Sequence, residues 1–90
     1  MLTLLKQALR ISHSKLDTEI TMFKDACLND LERVGIVEID ETDEVIKTLC
    51  VLYLKWQYNF EGEADRYRKA YEMMRDGYSM CGDYNVQSDN

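Results

Sequence analysis

Between residues 14 and 34 the apolar positions fall at Leu16, Ile20, Phe23, Cys27, Leu31 and Val34. Steps of three and four place all six on one side of an α-helix. Asp17 and Glu19 stand in its first turn and Arg33 in its last, as the helix dipole prefers. Ser14 followed by Asp17 approximates a capping box, and Gly35 offers the left-handed residue that stops a helix. The pattern predicts a helix opened by Ser14 and ending at Arg33 or Val34.

Residues 43–60, DEVIKTLCVLYLKWQYNF, leave almost no polar face. Ile46, Leu49, Cys50, Tyr53 and Phe60 fit one helical stripe, and Val45, Leu52 and Trp56 form a second. A helix apolar on several sides is buried on several sides. The β-branched and aromatic content is high enough for a strand. However, the run is too long for one, and Asp43, Glu44, Lys47 and Lys55 interrupt any alternation. This segment is predicted to be the central helix, capped by Asp40 or Thr42 with Asp43 and Glu44 in its first turn.

The remaining segments are arranged around it. Thr3 is a candidate N-cap for LLKQALR, a short helix presenting Leu5, Ala8 and Leu9; at about two turns it must dock on something larger. The connector at 36–41, IVEIDE, alternates briefly and is expected to pack Ile36 or Ile39 on the bundle. From Glu63 to about Arg75, Tyr67, Ala70, Tyr71 and Met74, with Tyr78 beyond, make one stripe of a last helix that Gly77 is expected to end. Asp65 with Lys69 and Arg68 with Glu72 are predicted i,i+4 pairs on its outer side. The fold class is all-α: a small bundle of four helices, one short and three longer, in a single domain over residues 1–90. Residues 82–90 are expected to be a mobile tail.

The chain has no proline and four glycines, which favours long helices over a turn-rich β fold. Its formal charge of −6 excludes a protein whose whole surface grips nucleic acid, because that needs a basic footprint. The sequence MLTLLKQALR lacks the apolar run of a signal peptide, and residues 43–60 carry charges that lipid would penalise. Cys27, Cys50 and Cys81 are odd in number and without CxxC spacing, which suits synthesis in a reducing cytoplasm.

No catalytic, cofactor or metal site emerges. An EF-hand loop begun at Asp40 puts Val45 where glycine is needed and Val51 where the bidentate glutamate is needed. His13 is the single histidine, and Cys27 and Cys50 lie on apolar faces, where thiols are inert packing. Arg66-Tyr67-Arg68-Lys69 is the one basic–aromatic cluster, and it reads as a solvated helix face. Six tyrosines, Trp56 and two phenylalanines exceed what so small a core takes up. Trp56, Tyr58, Tyr78 and Tyr84 are therefore the candidate residues for contacts between subunits.

Three stretches carry a family likeness. The first is LKQALRI at 5–11, then a polar break and LDTEI at 16–20; the second is DLERVGI at 30–36. The third joins LYLKWQYNF at 52–60 to DRYRKAYEMMR at 65–75. In order and spacing the chain resembles the small head–tail connector (adaptor) proteins of tailed bacteriophages and prophages, often labelled DNA-packaging proteins. Such proteins often carry Asp-Pro before the central helix, which this chain lacks.

The resemblance implies a structural virion protein, not an enzyme, with no cofactor. It would form a homo-oligomeric ring of about a dozen copies beneath the portal protein, extending the DNA channel and docking the next neck or tail protein. An acidic lumen would let DNA pass without sequence-specific binding. The tail would order on the portal, and the isolated chain would be monomeric or weakly associated until a ring template is supplied. The competing expectation is a small acidic helical regulator or protein-binding module of a mobile element.

Overall fold

The computed structural model describes residues 1–80. The tail expected at 82–90 and the candidate Tyr84 lie outside them. Among the described residues there are four α-helices and no strand: α1 (Leu2–Ala8), α2 (Asp17–Arg33), α3 (Glu44–Gln57) and α4 (Ala64–Ser79), with a 3-10 turn at Phe60–Gly62. The all-α bundle read from the sequence is the architecture observed. α3 packs against α2 on one side and α4 on another, and α1 lies against both α2 and α3.

The core follows from the periodicities. Ile20, Cys27 and Leu31 of α2 meet Ile46, Leu49, Cys50 and Leu54 of α3, with Tyr71 from α4 and Leu5 and Leu9 from the N-terminal segment. Val45, Leu52, Tyr53 and Trp56 are half-buried around this cluster, so α3 is enclosed on more than one side, as its composition requires. Leu54, on neither predicted stripe, is fully buried. It stands one turn beyond Cys50 and extends that face toward α4.

The helix ends show why the chain turns where it does. Val34 is the C-cap of α2, and Gly35 follows at φ 98°. Gly35 N–H donates to Glu32 O and Ile36 N–H donates to Leu31 O, the paired bonds of a Schellman motif. Ile36 and Leu31, the residues that motif brings together, are both fully buried. The brief alternation of 36–41 therefore makes no strand: Ile36 is the hydrophobic closure of α2. Arg10 at φ 60° ends α1 in the same manner, its N–H donating to Gln7 O and that of Ile11 to Lys6 O.

Several expected boundaries move. α1 begins at Leu2 with Met1 as N-cap, two residues ahead of the proposed Thr3 cap. α2 starts at Asp17, and Ser14 instead accepts the Asp17 N–H in the turn before it. Asp43 caps α3, accepting from Val45 N–H at 2.8 Å, while Asp40 is occupied by the Thr42 N–H and hydroxyl. Asp43 wins because its backbone is extended (φ −69°, ψ 132°), the geometry that aims a cap side chain at the first turn. α4 runs through Gly77 to Ser79. A glycine alone does not stop a helix whose next apolar residue, Tyr78, still packs on the core.

Asn59 joins two helices. In the left-handed region (φ 49°, ψ 47°) it turns the chain out of α3, and its Oδ1 accepts the Ala64 N–H at 3.1 Å at the start of α4.

Candidate interaction surface

α2 and α4 are tied together by one polar cluster. Asp30 Oδ2 accepts from the Tyr71 hydroxyl at 2.7 Å and from Arg75 Nη1 at 2.8 Å. Its Oδ1 accepts from Arg33. Partial burial pushes the Asp30 carboxyl up, but the hydrogen bonds from Tyr71, Arg75 and Arg33 outweigh it and hold its pKa below the ordinary value. Burial pushes the Tyr71 hydroxyl up, and the neighbouring Asp30 adds to this, so it is a standing donor at any physiological pH. The Arg75 guanidinium also lies 5.6 Å from the Tyr71 ring centre.

Beside this cluster an open cleft of about 490 Å³ runs between α2 and α4. Tyr53 and Trp56 of α3 line it together with Ala26, Asn29 and Asp30 on one side and Glu72 and Arg75 on the other. Edge-on packing with Tyr53 (ring centres 5.4 Å apart) fixes the Trp56 ring. Tyr53 packs in turn on Tyr71 at 5.2 Å. The cleft thus has a rigid aromatic wall and charged rims, the mixture found in protein contact surfaces.

A second groove of about 550 Å³ lies along α2, lined by Leu16, Thr18, Glu19, Met22, Phe23 and Ala26, with Lys15 at its end. It meets the cleft at Ala26.

Of the aromatic residues singled out in the sequence, Trp56, Tyr58 and Tyr78 are among the described residues, and Trp56 lines the cleft. Tyr58 is half-buried, edge-on to Phe23 at 5.4 Å, with its hydroxyl donating to Glu19 Oε1 at 2.5 Å. Tyr78 donates to Asp43 Oδ2 at 3.3 Å, which links the end of α4 to the cap of α3. The hydroxyls of Tyr58 and Tyr78 thus bond between helices.

The basic–aromatic cluster is divided the same way. Tyr67 faces inward, edge-on to Phe60 at 6.2 Å, and Lys55 stands 4.8 Å from the Phe60 ring centre. Arg66 pairs with Glu63, and Arg68 bridges Asp65 and Glu72. The predicted Arg68–Glu72 pair forms, while Asp65 takes Arg68 in place of Lys69. Cys27 and Cys50 are fully buried free thiols in the core. The proximity of Cys50 and burial both push the Cys27 thiol up, so it stays protonated.

Sequence reading passed over the methionines. Met22, Met73 and Met80 are 66%, 78% and 80% exposed, the most solvent-facing large apolar side chains among the described residues. Each falls off the apolar stripe of its helix, a signal visible in the spacing once the stripe is drawn.

Among the described residues no helix is long and apolar enough to cross a membrane. The family model for the phage connector protein matches residues 1–84. No curated protein and no solved structure matches the chain.

Proposed function

The chain belongs to the phage connector protein family, and on that premise we propose that it is a head–tail connector (adaptor) in the neck of a phage or prophage virion. It acts as a ring of identical copies beneath the portal protein, lengthens the channel through which DNA passes, and presents a docking surface to the next neck or tail protein. The role is structural, not catalytic. The observation that carries this reading is the family match over 84 of 90 residues.

Features of the molecule support it. A closed ring needs two different patches on each subunit. The cleft walled by Tyr53 and Trp56, the groove along α2 and the exposed methionines of α4 are surfaces of that kind. A formal charge of −6 suits a channel wall past which DNA slides without being held. The Asp30–Tyr71–Arg75 cluster and the Asn59 turn fix the relative positions of α2, α3 and α4, so the patches are presented by a rigid body.

The test is to combine the purified protein with its cognate portal and measure the mass of the complex under native conditions, followed by electron microscopy. Co-migration as a portal carrying a ring of this chain is the expected result. A portal that binds no copy of the chain overturns the assignment.

A further inference from the structure

The outer faces of α2 and α4 are complementary to each other. Arg66, Lys69, Met73 and Gly77 follow one another on the solvent side of α4, with Met80 at its C-cap, and all are exposed. Thr18, Met22, Ala26, Asn29 and Glu32 do the same on α2. The first series reads basic, basic, large, small, large. The second, taken in reverse, reads acidic, polar, small, large, small. Among the described residues neither Lys69 nor Glu32 has an ion-pair partner within its own chain, although most of the charges around them do.

We propose that α4 of one copy lies antiparallel along α2 of the next, with Met73 seated over Ala26 and Met22 seated over Gly77. This rests on the ring reading and supplies its repeating contact. With a rise of about 1.5 Å per residue, Met73 to Met80 spans roughly 10 Å and Ala26 to Thr18 roughly 12 Å, so one register satisfies both ends. In that register Met80 comes over Thr18, toward the groove lined by Leu16 and Phe23, and Lys69 and Arg66 come level with Asp30 and Arg33, on either side of Glu32.

Adding a Cβ at Gly77 would meet nothing within 4 Å in the single chain, so this position is open to a neighbour's side chain. Small residues at Ala26 and Gly77 let two helix axes approach to the usual packing distance, and methionine adapts its shape to the opposing groove. Antiparallel helices also oppose their dipoles favourably. Because the two faces belong to different helices, the contact is heterologous and leaves a free α2 and a free α4 at the ends of every chain of copies, as closure into a ring requires.

The test uses the full chain with Cys81→Ser, carrying either Ala26→Cys or Met73→Cys; both positions lie outside the core, so neither change threatens folding. The two variants, distinguished by mass, are mixed in equal amounts and mildly oxidised. A roughly tenfold excess of mixed disulfide dimer over either homodimer is expected, since specificity is a difference of affinities. Mixed and homotypic dimers in statistical proportion, or homotypic dimers in excess, overturn the contact.

Lys69→Glu in the Met73→Cys chain should reduce the mixed dimer, and Glu32→Lys in its partner should restore it. A chain with both cysteines then separates the two readings. Open-ended ladders with no closed species leave the contact standing and remove the ring. A ring on the portal that forms without the mixed dimer does the reverse.

Discussion

The Tyr71 hydroxyl donates to Asp30 Oδ2 across 2.7 Å, and this bond fastens α4 to α2 beside the α3 core. Tyr71 is fully buried, so its hydroxyl has no water to fall back on. Its replacement by Phe leaves the ring packing on Tyr53 intact and removes the donor to Asp30, together with the weak acceptor that the Cys27 thiol uses at 3.8 Å. A hydrogen bond to a charged acceptor contributes about 2 kcal/mol, and Tyr71→Phe should lower unfolding stability by about that amount. Urea titrations of the two proteins, compared at equal m-value, will show it.

Acidification acts on the same carboxylate. The pKa of Asp30 in the folded chain lies below the ordinary 3.8. Its contribution to stability is therefore complete above that value and is lost as pH falls through the lower, folded pKa. Asp30→Asn should be clearly less stable than the parent at pH 7, and the gap should narrow below about pH 4 as the parent carboxyl protonates. A gap that stays constant between pH 7 and pH 2 contradicts the assignment.

Two glycines should respond to alanine with opposite signs. Gly35 sits at φ 98°, where a Cβ is strained, so Gly35→Ala should destabilise by about 1 kcal/mol. Gly77 lies inside α4 with open space around it, so Gly77→Ala should stabilise the isolated chain by about 0.5 kcal/mol through the unfolded state. Thermal unfolding of both variants at one protein concentration is sufficient.

Cys27 and Cys50 should be unreactive toward a soluble thiol reagent while the chain is folded, because neither side chain reaches solvent. Both should label within minutes in denaturant. Peptide mass mapping after timed labelling tells them from Cys81. Labelling of Cys27 at its unfolded-state rate in native buffer would mean that α2 does not stay packed on α3.

Much of this molecule could be read from its amino-acid order. A spacing of three and four residues determined α2 and the inner face of α4, and an apolar surface on several sides determined that α3 is the centre. These are properties of one helix at a time, and burial of a stripe needs no knowledge of what covers it. The left-handed stop at Gly35 was legible for the same reason, because only glycine takes that backbone cheaply.

Tertiary structure decided what the polar groups do. Which of Asp40, Thr42 and Asp43 caps α3 depends on the path by which Ile36 closes α2 and sends the connector back. Whether Tyr58 and Tyr78 face solvent or bond to Glu19 and Asp43 depends on helices 35 or more residues apart in sequence. The Asp30 cluster draws Tyr71 and Arg75 from a helix 41 and 45 residues further along the chain, so no local window contains it. Periodicity assigns each residue a side of its own helix; only the packing of three helices on one another determines which polar tips meet and which faces remain open to a second copy.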